Sequence, residues 1–120
     1  MRRAERYAKA ARCLDLVLEY FGPNGKRWCQ GQGDGRKRCL VAAVCHVQLK
    51  HGFHNQLTFD LLDAAIPAPT IVEFNDDRRT SFAEVRAVIL EAKANALAEV
   101  RKLKLARETQ REMQRPKLAA

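Results

Sequence analysis

Residues 28–47 constrain the fold more than any other part of the chain. They begin with a loop containing three glycines, continue through the basic triplet Arg36-Lys37-Arg38, and end in the most apolar run of the sequence. Residues 39–50 have the length of a short helix and carry apolar side chains on most sides. Such a helix is stable only when other elements cover it. We therefore predict that a helix beginning near Cys39 lies at the centre of the fold.

Three further helices are predicted around this central one. Residues 3–21 carry apolar residues at three- and four-residue steps, and the following Gly22-Pro23 ends that helix. A shorter helix is predicted after Asn55, which could cap it. Ser81 begins the last helix, because Glu84 occupies the position that a capping box requires. Residues 70–74 are β-branched and aromatic and predict a short strand or an extended strap.

The pattern as a whole predicts a mainly α fold. We expect a compact four-helix domain with one short extended or β element and a long C-terminal helix. Residues 1–100 form the globular helical domain, and residues 101–120 form a basic helical extension or tail. If the last helix continues to about residue 114, it is roughly 50 Å long. We expect this extension to add little to the stability of a monomer, and a homodimer through the C-terminal helix is a further hypothesis.

The charge of the chain is concentrated in three segments. The net charge is +8 over 120 residues, and residues 1–12, 26–38 and 99–120 each carry +4. Clustered positive charge is typical of proteins that bind nucleic acid or an acidic protein surface. Tyr7, Trp28 and Phe53 lie between the basic residues and could stack on bases. The predicted anion-binding residues are Arg2, Arg3, Arg6, Arg27, Arg36, Lys37 and Arg38.

Four short motifs resemble a small, uncharacterised family of bacterial and phage proteins. The motifs are Trp28-x-Gln30-Gly31, Cys39-Leu40-x-Ala-Ala43, Phe74-Asn75-Asp76 and Thr80-x-Phe82-x-Glu84-Val85. The family signature is W-x-Q-G, C-L-x-G-A and N-D-x-x-x-T-x-x-E-V, and Ala42 stands where the signature has glycine. The resemblance covers residues 5–97. It implies a compact helical domain and an origin in a phage or mobile element, and it carries no established activity.

Cys39 is the candidate nucleophile if the protein is an enzyme. It precedes a predicted helix and follows three cations, and both features favour a thiolate. Gln30 lies upstream, as does the glutamine that helps to hold the oxyanion in papain-like enzymes. His46 is about 10 Å further along the helix axis, which is too far for it to act as the base. Because no base is placed beside Cys39, a cysteine-dependent hydrolase or transferase is the alternative function and not the leading one.

The sequence predicts no cofactor and no metal site. The glycines before Cys39 have the outline of a phosphate-binding loop, but neither the dinucleotide fingerprint nor a P-loop motif is present. The cysteine and histidine spacing contains no zinc knuckle. No run approaches the ~20 apolar residues needed to cross a membrane. We expect no membrane association and a cytoplasmic protein with reduced cysteines.

These patterns favour a non-enzymatic binding protein. Its basic surface would contact nucleic acid or an acidic protein partner, and the protein could be a phage or mobile-element regulator or an inhibitor of a host system.

Overall fold

A computed structural model describes residues 2–116, and helices make up most of this part of the chain. The helices are α1 (Arg3–Phe21), α2 (Leu40–His51), α3 (Leu57–Ala65), α4 (Ile71–Asp76) and α5 (Phe82–Gln114). The mainly α class and the long C-terminal helix are therefore confirmed.

Helices α1 and α5 form an antiparallel pair that supports the rest of the fold. At one end the rings of Phe21 and Phe82 pack edge to face, with their centroids 5.7 Å apart. Midway, Lys93 Nζ lies 2.7 Å from Asp15 Oδ1. At the other end, the start of α1 lies beside Val100 and the turn of α5 that follows it. Helix α2 packs on α1 and α4, and α3 packs on α1 and α5.

The sequence predicts that eight residues on the apolar stripes of the helices lie in the core, and this prediction is confirmed. Each is at most 3% exposed, and they come from α1, α2, α3 and α5. They are Leu14, Val17, Leu40, Val44, Val47, Leu62, Val85 and Ile89.

Helix α2 is buried on one side only. Val44 is fully buried, but the neighbouring Cys45 is exposed and Leu49 is 81% exposed. The apolar pattern of residues 39–50 predicts a helix that is buried on most sides, with Cys45 in the core, and this prediction is therefore wrong. Apolar composition did not identify the solvent side, because only the packing of α1 and α4 against α2 decides which face is covered.

The predicted strand over residues 70–74 is wrong, because these residues enter helix α4. The Thr70 hydroxyl caps the helix by accepting a hydrogen bond from the Glu73 amide at 3.1 Å. Ile71, Phe74 and Asn75 are buried, and their spacing is that of one helical face. Capping and burial outweigh the weak β propensity of this segment. Residues 2–116 thus contain one helix more than the four predicted, and the one extended pairing among them joins Trp28 and Arg38.

The last part of α5 extends beyond the body of the protein. Leu103 is partly covered by α1, but residues 104–116 are exposed, including Leu105 and Met113. Within residues 2–116, no helix combines the length and the apolar content that crossing a membrane requires.

We predict that Val44→Asp unfolds the domain, because it places an unpaired charge in the fully buried face of α2. The expected loss is about 4 kcal/mol or more of the free energy of unfolding, measured by urea denaturation. Cys45→Asp is the matched control, because it adds the same charge to the exposed face and should change stability by less than about 0.5 kcal/mol. Equal losses in the two variants would contradict the assigned burial of α2.

We predict that deleting residues 105–120 leaves the melting temperature within about 2 °C of the intact protein. The described part of this segment is exposed and buries no apolar side chain. Thermal unfolding followed by circular dichroism measures the shift at several protein concentrations. A large, concentration-dependent loss of stability would instead indicate that the segment holds a dimer together.

Candidate functional site

The loop between α1 and α2 is held closed at its base. We call residues 26–38 the basic loop. The Arg38 amide donates to the Arg27 carbonyl oxygen at 2.8 Å, and the Cys29 amide donates to the Arg38 carbonyl oxygen at 3.1 Å. These bonds make a single parallel bridge between Trp28 and Arg38. The two ends of the loop therefore lie side by side.

Inside the basic loop, a tight turn fixes the backbone that carries Arg36 and Lys37. The Asp34 carboxylate accepts hydrogen bonds from the amides of Arg36 at 3.0 Å and Lys37 at 3.1 Å. These two hydrogen bonds hold the pKa of Asp34 below its ordinary value, and the bond from Lys37 contributes more than the bond from Arg36. A Cβ at Gly33 would lie 1.7 Å from the Lys37 carbonyl oxygen, so only glycine fits there. The three cations are therefore carried by a structured turn.

The side chain of Asn75 connects both ends of the basic loop to the domain. Its Oδ1 accepts hydrogen bonds from Trp28 Nε1 at 2.7 Å and from the Leu40 amide at 3.1 Å. Its Nδ2 donates to the Cys29 carbonyl oxygen at 3.1 Å and to Asp76 Oδ1 at 2.9 Å. Asn75 is 1% exposed; its bond to the Leu40 amide is buried, and the other three bonds are part-buried. The sequence predicts that Asn75-Asp76 cap the turn leading into the last helix, and for Asn75 this prediction is wrong.

Gln30 and Asp76 tie the start of the loop to the turn before α5. The side-chain Nε2 of Gln30 donates a hydrogen bond to the Asp77 carbonyl oxygen at 2.5 Å. It makes a second, longer contact to the Thr80 carbonyl oxygen. Asp76 Oδ1 accepts a hydrogen bond from the Gly31 amide at 2.8 Å. The Gly31 amide is therefore already bonded and is not free to bind an anion. The Gln30 side chain holds two chain segments together in this structure.

Cys39 is the N-cap of α2. Its Sγ accepts a hydrogen bond from the Ala42 amide at 3.4 Å, and the thiol is half-buried. The Leu40 amide bonds to Asn75, so two of the free amides at the start of α2 already have partners.

Tyr20, near the end of α1, is the residue at which Arg27 and Arg38 meet. The Cζ atoms of Arg27 and Arg38 lie 5.7 and 5.8 Å from its ring centroid, within the range of cation–π attraction. Its hydroxyl donates to the Arg36 carbonyl oxygen at 3.1 Å. The His46 ring lies 5.1 Å away on the α2 side. Together with Lys50 and His51, these residues line an open depression, which we call the Tyr20 depression.

Among residues 2–116, no carboxylate forms an ion pair with the cations of the Tyr20 depression. Within residues 2–116, the ion pairs join Arg79 to Asp77, Lys93 to Asp15 and Arg115 to Glu112. None of these involves the depression, where Glu19 is the one carboxylate of the lining. The pKa of His46 lies below its ordinary value. Burial is the main cause, and the positive charges of Arg38, Lys50 and His51 lower it further. The depression therefore has an excess of positive charge.

A second basic group continues the Tyr20 depression along α1. Arg6 and Lys9 precede Tyr20 by 14 and 11 residues, close to whole numbers of helical turns, so the three share one face. Arg6 and Lys9 line a groove with Phe53 and His54, directly after α2. The distance along α1 from Arg6 to Tyr20 is about 21 Å. We call the Tyr20 depression and this groove together the basic track.

The structure divides the seven predicted anion-binding residues. Arg27, Arg36, Lys37 and Arg38 belong to the basic loop, and Arg6 lies at the opposite end of the basic track. Arg2 lies beside Lys104 and Arg107 of α5. Arg3 is exposed at the first turn of α1.

Sequence reasoning missed four residues of the basic track. They are Lys9, Tyr20, His46 and Lys50. The spacing of Arg6, Lys9 and Tyr20 on α1 was the available signal.

Of the three aromatic residues that could stack on bases, two have structural partners. Trp28 is half-buried, donates its Nε1–H to Asn75 and packs with its ring centroid 6.1 Å from that of Phe82. Phe53 is half-buried against the core and lies 6.2 Å from the His51 ring. Among residues 2–116, no group of three His, Cys, Asp or Glu side chains is placed to hold a metal ion.

We predict that Asn75→Ala lowers the free energy of unfolding by about 2–4 kcal/mol, because it leaves buried donors and acceptors unpaired. Urea denaturation followed by Trp28 fluorescence measures this loss, since the indole is one of the partners. Asn24→Ala is the control, because Asn24 is exposed in the turn after α1 and its side chain makes no hydrogen bond within residues 2–116. A loss below about 1 kcal/mol for Asn75→Ala would contradict the central role of this residue.

Comparison with known proteins places this chain in a family. Residues 4–95 match the model of a family of unknown function, DUF6197. Neither the curated proteins nor the solved structures contain a significant match. The matched residues include the basic loop, Asn75 and the first part of α5, which confirms the resemblance to an uncharacterised family. Because the match spans most of the chain, this protein belongs to the DUF6197 family.

Proposed function

We propose that this protein is a non-enzymatic binding protein that contacts nucleic acid through the basic track. The observation that carries this proposal is the convergence of Arg27, Arg38 and Lys50 around Tyr20 without an ion-pair partner. Like charges held close together repel one another. A bound anion removes that repulsion, so the arrangement favours a negatively charged ligand.

The groups of the track suit an oxyanion such as phosphate. Arg27 and Arg38 offer planar guanidinium groups, which bind phosphate oxygens through paired hydrogen bonds. The Tyr20 ring limits the freedom of both guanidinium groups, so less conformational entropy is lost when they bind. Arg36 and Lys37 are exposed on the neighbouring turn and add to the positive electrostatic potential of the track.

The linear form of the track favours a nucleic acid over an acidic protein surface. Its basic groups recur over about 21 Å of α1, and the two ends are joined by His46, Lys50 and His51. A nucleic acid presents negative charge at regular intervals over such a distance. Single-stranded ligands usually follow grooves of this kind.

In the cell such a protein would act as a regulator or as an inhibitor of a host system, and the resemblance to bacterial and phage proteins supports an origin in a phage or mobile element. The alternative function is a cysteine-dependent hydrolase or transferase with Cys39 as nucleophile. The binding proposal is preferred, because the Gln30 amide is engaged with backbone carbonyl groups and is not free to hold an oxyanion.

We predict that Arg36→Gln/Lys37→Gln weakens binding to a single-stranded DNA of about 20 nucleotides. The slope of log affinity against log salt concentration should fall by up to about 2, because each lost phosphate contact removes nearly one unit. Arg6→Gln/Lys9→Gln should have a similar effect from the other end of the track. Fluorescence anisotropy over a series of salt concentrations measures both slopes.

Arg78→Gln/Arg86→Gln is the matched control, because it removes the same charge from exposed positions outside the track. Its salt slope should equal that of the unchanged protein. Equal effects of all three double variants would mean that only net charge matters, which would contradict a defined track. Binding to an acidic protein but to neither DNA nor RNA would replace the nucleic-acid proposal.

Cys39→Ala separates the two function classes in the same assay. It should leave DNA affinity unchanged, because a thiol makes no phosphate contact. Rapid alkylation of Cys39 at neutral pH, slowed in Arg36→Gln/Lys37→Gln, would instead support the enzyme alternative if the protein binds no polyanion.

A further inference from the structure

The parallel bridge at the base of the basic loop places two cysteines next to each other. Trp28 pairs with Arg38, so the next residues in the same register are Cys29 and Cys39. Side chains of residues paired in this way point to the same side of the two segments. Neighbouring strands lie about 4.8 Å apart, which is within the Cα separation that a disulfide requires.

Asn75 holds both cysteine-bearing segments at once. Its Nδ2 bonds to the carbonyl oxygen of Cys29, and its Oδ1 bonds to the amide of Leu40, the residue after Cys39. The two segments therefore cannot separate without breaking buried hydrogen bonds. This restraint lowers the entropic cost of joining the two sulfur atoms.

The environments of the thiols agree with this proximity. The pKa of the Cys29 thiol is raised above its ordinary value, mainly by burial and next by the neighbouring Cys39. Both thiols are half-buried, so each is partly open to solvent. The other two cysteines differ, since Cys13 is buried in the core and Cys45 lies on the exposed side of α2.

We propose that Cys29 and Cys39 are a dithiol pair that closes reversibly to an intramolecular disulfide in the presence of glutathione disulfide. One thiolate attacks a glutathione sulfur, which forms a mixed disulfide and releases one glutathione thiolate. The second cysteine thiolate then attacks the protein sulfur of that mixed disulfide and releases a second glutathione. The two cysteines are thereby oxidised by two electrons, and one glutathione disulfide is reduced to two glutathione molecules.

The experiment uses the full chain with Cys45→Ser, equilibrated without oxygen in glutathione buffers of increasing oxidation. Alkylation then traps the free thiols, and mass spectrometry counts intramolecular disulfides against glutathione adducts. Trypsin should release residues 28–36 disulfide-linked to residues 39–50, which contain no other cysteine in this variant. The equilibrium constant against glutathione follows from the ratio of the closed and open forms.

Two controls separate the folded geometry from closeness in sequence. In urea, the same variant should give an equilibrium constant at least about tenfold lower, because the bridge and Asn75 no longer hold the segments together. The Cys39→Ser variant, which keeps Cys45, should form glutathione adducts on Cys29 and no intramolecular bond. Serine retains a hydroxyl that can cap α2, so this variant should stay folded.

An equilibrium constant in the folded protein equal to or below that in urea would overturn the proposal. Separate glutathione adducts on Cys29 and Cys39 without the linked peptide would also overturn it. The result does not depend on nucleic-acid binding, since no nucleic acid is present in the assay.

Discussion

The buried amide of Asn75 is the interaction on which the rest of the structure depends. One side chain accepts hydrogen bonds from the indole of Trp28 and from the first amide of α2, and donates to the backbone of Cys29. An amide can do this because it carries both a donor and an acceptor, each able to make two bonds. In a buried site these bonds are costly to lose. Helix α4 therefore fixes where the basic loop begins and where α2 starts.

The basic track is a consequence of that arrangement. Because the ends of the basic loop are held, Arg27 and Arg38 reach the same tyrosine ring from two separate parts of the loop. Helix α2 then runs back along α1 and brings Lys50 beside the residues that precede Tyr20. Positive charge that is dispersed in the chain is thus gathered in one groove. The same closure of the loop brings Cys29 and Cys39 together, so one restraint underlies both proposals.

The helices were largely predictable, because periodicity and capping are local properties. The Ser81 cap accepts from Glu84 as expected, and Asn55 bonds to the first amide of α3. Helix α4 was not predicted although Thr70 and Glu73 have the spacing of a capping box, because the β-branched and aromatic residues 70–74 are typical of a strand. The exposed face of α2 was missed for another reason. Its composition is apolar on most sides, so local pattern could not identify the solvent side.

The sequence by itself determined the helical class, the core residues and the concentration of charge in three segments, since each depends on residue type and short-range spacing. It also predicted the family to which the chain belongs. Only the tertiary structure decided that Asn75 is a buried connector and that Arg27 and Arg38 of the basic loop meet at Tyr20. Asn75 bonds to Trp28, 47 positions away in the chain, and Arg38 reaches Tyr20 from 18 positions away. No local pattern encodes such a pairing, because it follows from how α1, α2 and α4 pack.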